Sequence, residues 1–464
     1  MKETKTCAPG TSKVRRVSAG SKRAEGWEWQ AEGRRVRRPA AKAIRMGAGD
    51  PSLSNCGGLA AFNAFTQEIG LGRMLRERFG PLKTGRGVVY SMSSQMQLLI
   101  DAAVVGANRI FDIEALAGDA VFRHLAGGAI PSIDTLYDDL RRFQPEDLDA
   151  LERLVTDQAL TTLRGAKHRE LTVDIDTTVE PVFGTQEGAA LGYNPRCRGR
   201  LSYHPILARI AETDMVLGAR LRRGDTTLGQ MDVEDIEQWI TLLHEAAPDA
   251  IVTARIDSGG ESTALMGAVD RSKAYFVVKA RLTPNLVAAV LWKAGKWRTV
   301  ECDAEGTPTR EVAVLDFQRP DWPAGKYRVI AMRTNERDTG KQVCLWDDLE
   351  HAVSVYITND LERDADELAW LYDGRAGIEP LIAELKNGFA IGKIPTSSFD
   401  ANEAGFLLKL LAHNLLRRWV LSKLPAVCSW RVSWIRRTCI CVPARLLHSG
   451  RRWTLRLAPR PLLN

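Results

Sequence analysis

Asp174-Ile175-Asp176-Thr177-Thr178 places two carboxylates and two hydroxyls within five residues, directly behind the apolar-alternating lead Leu171-Thr172-Val173. In a strand successive side chains alternate faces, so Val173 and Ile175 share the buried side while Asp174, Asp176 and Thr178 share the other. Like charges held so close raise each other's pKa unless a cation, a basic partner or water relieves them. The bland reading is a strand end, where Asp and Thr commonly begin turns. A second acid stands in an equivalent place: 250–260, AIVTARIDSGG, reads as a strand that ends in Asp257, Ser258 and two glycines. Side chains at the C-terminal ends of neighbouring strands project into one crevice, where α/β folds commonly place their sites. A third acid lies in LYDGRAGIEPLIAELK, where Tyr372, Arg375, Glu379 and Lys386 are separated by three, four and seven residues. On a straight helix those four fall within roughly 60° of one another. One acid, two bases and a tyrosine on a single stripe can hold a cation beside an anion. Gly374, Gly377 and Pro380 lie in the same stretch and predict that this helix bends or restarts there.

These residues need a scaffold, and the hydrophobic periodicity outlines one. Residues 1–49 are rich in Gly, Ala, Ser, Lys and Arg and read as a basic, disordered arm. Over 50–168 apolar residues recur every three or four positions, as in SMSSQMQLLIDAAVVGA and PEDLDALERLVTDQALTTL, giving a helical region. Within it, 118–143 reads as two short helices joined at GGAIPS, with Ser132 placed to cap the second. That pattern fits a helix-turn-helix, but Asp134 and Asp138 would oppose phosphate, and plain bundle packing is the alternative. From 169 to 283 strands alternate with helices, and YHPILARIAE and MVLGARLRRGD form a hairpin. Strands joined partly by a hairpin and partly by crossover helices imply a mixed sheet with helices against it. Residues 284–358 are β-rich (KWRTVEC, TREVAVLDF, KYRVIAMRT, KQVCLW, AVSVYIT), and helices return over 359–398 and in a basic region, 399–464, expected to be helical.

Charge separates these regions. The formal net charge is +7, yet residues 1–50 hold thirteen Lys and Arg against five acids, and the 61 residues after Glu403 hold twelve and no acid, leaving the middle acidic. Arginine clusters mixed with tryptophan, as in 434–456, suit a polyanion, and nucleic acid is the commonest one; the alternative is a solvated tail. No run approaches eighteen apolar residues and the N-terminus lacks an apolar signal segment, so a cytoplasmic protein without membrane contact is expected. The eight cysteines are scattered, and Cys439 and Cys441 form a C-x-C without a second pair at zinc-ligand spacing.

The spacing Y-x2-R-x3-E-x6-K resembles the signature of the DDE transposases of bacterial insertion sequences, in the subgroup of insertion sequence 1380 type. Asp176-Thr177 resembles that family's first catalytic Asp with its following hydroxyl, and Arg255-Ile256-Asp257-Ser258-Gly259 resembles the motif around the second. GYNPRCRGRLSYHP (192–205), PSIDTL (131–136) and the closing stretch from Phe399 to Arg418 are similar to further subgroup features, so the resemblance spans roughly 50 to 460.

The resemblance implies an α/β fold of the ribonuclease H-like type, a mixed sheet with flanking helices interrupted by a β-rich insertion. It implies that Asp176, Asp257 and Glu379 are the catalytic residues and bind two divalent ions, Mg²⁺ with Mn²⁺ as a substitute. Arg375 and Lys386 would grip DNA phosphates and Tyr372 would bond a phosphate oxygen or cap the helix face, the bland alternative being surface pairing with Asp373 and Glu384. Asp174 would serve as a ligand or, beside Thr177, orient metal-bound water. Trp297 and Trp322 are candidates to stack on an unpaired base, with core packing as the alternative. The implied activity is binding of terminal inverted repeats in double-stranded DNA, metal-assisted cleavage, and joining of 3′ ends to target DNA by a homodimer. The alternatives are a domesticated binder of DNA and a nuclease of the same fold without strand transfer; a glycosidase has no use for basic termini.

Overall fold

A computed structural model describes residues 49–164, 168–334, 352–393 and 396–459. The expected N-terminal arm and the expected strand KQVCLW lie outside the described residues. The chain opens with β1 (Leu53–Ser54) and seven helices: α1 (Leu59–Glu68), α2 (Leu71–Phe79), α3 (Met92–Val105), α4 (Asp112–Leu116), α5 (Ala120–Leu125), α6 (Ile133–Leu140) and α7 (Pro145–Leu163). The break between α1 and α2 falls at Gly70, whose φ of +73° belongs to the left-handed region that a side chain disfavours. Ser132 caps α6 by accepting from the Thr135 amide at 3.3 Å.

The large sheet begins at β2 (Glu170–Thr177); β3 (Glu180–Pro181), β4 (Ala190–Leu191) and β5 (Leu201–Tyr203) follow as a separate three-stranded sheet. The large sheet then continues through β6 (Ile206–Ile210), β7 (Met215–Arg220), α8 (Val233–Ala246), β8 (Ile251–Ile256), α9 (Thr263–Arg271) and β9 (Tyr275–Lys279). The hairpin β6–β7 lies antiparallel on one side of β2; β8 and β9 follow in parallel on the other, each delivered by a crossover helix. The order β7-β6-β2-β8-β9 is a ribonuclease H-like mixed sheet.

The β-rich stretch begins with a helix, α10 (Pro284–Trp292), followed by β10 (Arg298–Cys302), β11 (Pro308–Leu315), β12 (Arg328–Thr334) and β13 (Ala352–Thr358). Its strands extend the same sheet: β13 pairs antiparallel with β9, and β12, β11 and β10 add outward, to nine strands among the described residues. The chain then returns through α11 (Ala365–Asp373), α12 (Ile378–Gly388), α13 (Phe399–Lys423) and α14 (Val432–Ile435). The last segment departs from the all-helical expectation for 399–464, because it ends in a hairpin of β14 (Ala444–Ser449) and β15 (Arg452–Leu457). The reason is visible in the period of two, Ala444-Leu446-His448 against Trp453-Leu455-Leu457, closed by Gly450 at φ +60°.

One core fills the sheet face that carries Val173 and Ile175, under α8, α9 and α10; another surrounds α13 and the N-terminal helices. α13 is buried nearly all round and closes the open edge of the sheet. Its Asn414 donates to the carbonyls of Val155 on α7 (3.0 Å) and Val216 on β7 (2.7 Å), and accepts from the Val216 amide at 3.0 Å. A side-chain amide thus supplies the strand pairing that an edge strand otherwise lacks. Among the described residues no helix is long and apolar enough to cross a membrane.

Candidate active site

A row of buried charges lies beneath the site. Asp174 on β2 faces Arg209 on β6 and Arg255 on β8 in register, and all three side chains are buried. Arg209 Nη1 donates to Asp174 Oδ2 at 2.8 Å; Arg255 donates through Nε to Oδ1 at 2.6 Å and through Nη2 to Oδ2 at 2.9 Å. Bidentate pairing of this kind is strong and directional, and it occupies both Asp174 oxygens. Asp174 is therefore fixed by charge pairing, and its carboxylate is not open to a metal or to water held by one.

The two arginines also shape the turn above them. Arg255 Nη1 donates to the Leu371 carbonyl at 2.7 Å, tying α11 to the sheet. α11 ends in a short 3-10 turn, Gly374–Gly377, before α12 begins, so the stripe is interrupted as the glycines predict. Both glycines have ordinary right-handed helical φ values, and their requirement is space: a Cβ at 374 would collide with Arg255 Nη1, and one at 377 would lie 2.7 Å from Arg209 Nη1. Pro380 sits in the first turn of α12, where a missing N–H breaks no helical bond.

Arg375 is carried by that turn into the crevice above β2 and β8. Its Nη2 lies 2.8 Å from Asp176 Oδ2 and 3.9 Å from Asp257 Oδ2. Asp176 closes β2, with Oδ1 accepting from the Thr177 amide at 2.8 Å. Asp257 follows β8, and its Oδ1 accepts from the Gly259 amide at 2.9 Å. Glu379 is exposed in the first turn of α12, and its charge reaches Asp176. Burial pushes the Asp176 carboxyl up to about 6; Arg375 pulls it back, while Asp257 and Glu379 add to the rise. Arg375 keeps Nε without a hydrogen-bond partner among the described residues.

Tyr372 is buried against Tyr356, ring centroids 4.7 Å apart, and burial pushes its hydroxyl up to about 12. Lys386 points to the loop leaving β2, donating to the Val179 carbonyl at 2.9 Å and pairing with Glu180 at 3.0 Å. Trp322 belongs to the core beside Phe317 and Tyr327, and Trp297 is half-buried under the Arg333 guanidinium. Trp292, at the end of α10, is 84% accessible, although periodicity alone assigns it to the helix and not to a surface role. Arg209 also escaped sequence reasoning; its signal is its strand position, one step across from an acid on the same face.

Three carboxylates fit a hard divalent cation in kind, since oxygen donors are what such ions take. A positive charge is already drawn between two of them, in the form of Arg375. Among the described residues no three acidic, histidine or cysteine side chains are gathered closely enough to hold a metal ion.

The structure thus places carboxylates at the ends of two central strands of a mixed sheet, and the sequence comparison gives the family. Residues 38–461 match the family Transposase DDE domain group 1, and the chain belongs to that family. Among solved structures it is similar to the piggyBac transposase in a synaptic complex with hairpin DNA, seen by cryo-EM, at 11% identity and a TM-score of 0.43 over 82% of this chain and 78% of that one. No curated protein matches the chain.

Proposed function

We propose that the protein is the transposase of an insertion sequence of the 1380 type. It binds the element's terminal inverted repeats, cleaves there by metal-dependent phosphoryl transfer, and joins the freed 3′ ends to target DNA. The observation that carries this reading is the meeting of Asp176, Asp257 and Arg375 over the C-terminal ends of adjacent parallel strands in a chain of this family.

In this reading Asp176, Asp257 and Glu379 hold two divalent ions, Mg²⁺ or Mn²⁺. When bound, the ions supply Lewis-acid stabilisation of the attacked phosphate and of its leaving oxygen. Asp176, with a pKa near 6, is ionised at neutral pH and available to a cation. Arg375, held beside the acids, offers a planar fork to a phosphate oxygen brought into the crevice, which fixes the scissile group there. Tyr372 braces the turn through its tilted ring contact with Tyr356, and Lys386 holds the Val179–Glu180 loop at the exit of β2. Residues 169–283 and 359–398 carry the chemistry, and 50–168 and 399–464 carry DNA. Two ends must be held together, so the working form is a homodimer on double-stranded DNA.

One observation favours a second reading, a domesticated protein that binds DNA without cutting it: Arg375 is paired to both aspartates, and no three-acid cluster is formed among the described residues. Cleavage of a duplex carrying the element's terminus, in Mg²⁺ and in Mn²⁺, separates the two.

A further inference from the structure

The C-terminal hairpin has two unlike faces. Register places Ala444, Leu446 and His448 on one face with Leu457, Leu455 and Trp453 opposite them. That face is partly covered: the Trp453 ring, itself half exposed, stacks on His448 (centroids 4.3 Å apart) and lies tilted against His124 of α5 (4.4 Å). At its base a Cβ on Gly57 would meet both Ala444 and Leu457, so the chain there lies directly against it. The other face carries Arg445, Leu447 and Ser449 beside Arg456, Thr454 and Arg452, with Arg451 at the turn. All four arginines are exposed.

Arg445 and Arg456 stand directly opposite each other, a pairing of like charges that destabilises a hairpin. Arg445 meets Asp50 at 2.9 Å, while Arg451, Arg452 and Arg456 have no acidic partner among the described residues. The sequence holds no acid after Glu403 to supply one. A solvated basic face explains the charge but not its mounting, in which pairing of β1 with the start of β14 and the contacts with Gly57 and His124 hold the ribbon in a fixed direction. Six paired residues span roughly 20 Å, and the major groove, about 12 Å wide, admits a two-stranded ribbon. The competing surface is α6, the second helix of the helix-turn-helix pattern, and it exposes Asp134 and Asp138, which phosphate repels.

We propose that the β14–β15 ribbon, and not α6, is the groove-binding element, its outer face of Arg445, Arg452 and Arg456 lying in the major groove of double-stranded DNA with Arg451 on the flanking phosphates. This rests on the transposase reading only in taking duplex DNA as the ligand. The test uses the full chain and a labelled 30-base-pair duplex, with affinity read by fluorescence anisotropy at several salt concentrations. Each phosphate charge that a bound cation neutralises contributes about 0.9 to the slope of log affinity against log salt, so R445A/R452A/R456A, which takes three cations from between the phosphate walls of the groove, should lower that slope by up to about 2.7. At ~0.1 M salt this corresponds to affinity weaker by about 10² to 10³-fold. R445K/R452K/R456K keeps the charge and should restore the slope, which separates charge loss from misfolding. The intact protein should also shield guanine N7 from methylation in the major groove, and the alanine variant should not. An alanine variant that binds with unchanged slope, affinity and protection overturns the ribbon assignment and leaves the transposase reading standing. No duplex binding by the intact protein overturns both.

Discussion

Replacing Arg375 by alanine removes the cation that the crevice acids share, and its effect on stability should depend on pH. Arg375 and Asp176 are largely buried and 2.8 Å apart. At an effective dielectric of about 20, their gross attraction is about 6 kcal/mol. Desolvation of both groups offsets much of it, and breaking a buried pair from one side typically costs about 3 to 5 kcal/mol. The sign with pH follows from Asp176. Its folded pKa, about 6, lies above its ordinary value of 3.8, so the stability contributed by its neutral form is complete below 3.8 and lost as pH rises through 6. Arg375 limits that loss. Without it the carboxyl rises further and stability keeps falling above pH 6, so the gap between the proteins should be small at pH 5 and about 3 kcal/mol at pH 8. Urea unfolding between pH 5 and 8, with chelator present, measures it. A gap of equal size at both ends would refute the counter-ion role.

The row beneath the site should matter for folding: Asp174→Ala leaves two buried arginines facing each other and should cost about 3 to 5 kcal/mol, read as a lowered denaturation midpoint. Gly377→Ala crowds Arg209 and should shift the turn that carries Arg375, lowering cleavage at least tenfold while far-ultraviolet circular dichroism stays unchanged. Glu152, buried and accepting from Trp239 Nε1 at 2.7 Å, is pushed by burial up to about 7. Its neutral form therefore stabilises the protein fully below pH 4.5, and that contribution is lost as pH rises through 7. Glu152→Gln should match the wild type at pH 4 and exceed it by up to about 3 kcal/mol at pH 8 in unfolding titrations. Asn414→Leu removes three hydrogen bonds that join α13 to α7 and the edge strand β7, and should lower stability by about 3 kcal/mol in denaturant titrations.

The parts of the site that repeat with a strand or helix period were legible in the sequence. The placement of Asp176 and Asp257 at strand ends follows from the apolar alternation before each, and the order of strands and helices implied their sheet. The turn at Gly374–Gly377 was also legible as a break, though its cause was not: the glycines are spaces for Arg209 and Arg255, which lie over a hundred residues away. Asp174 shows the same limit from the other side. Period alone pointed it with Asp176, but its function depends on cross-strand neighbours that only register reveals. Asn402 and Asn414 of the closing stretch look like a surface motif in one dimension; both are buried and bond backbone, in the case of Asn402 the Thr396 amide at 2.9 Å. The β14–β15 hairpin is not legible because the arginines and tryptophans of that stretch mask its period of two.

Cleavage of a labelled duplex ending in the element's own terminus, by the intact protein and by Asp176→Ala, Asp257→Ala and Glu379→Ala, tests the catalytic assignment most directly. Nicking at the terminus that requires Mg²⁺ or Mn²⁺, and that all three substitutions abolish while anisotropy shows retained binding, is the expected result. Binding without cleavage by the intact protein in either metal, or cleavage that survives any of the three substitutions, would contradict it.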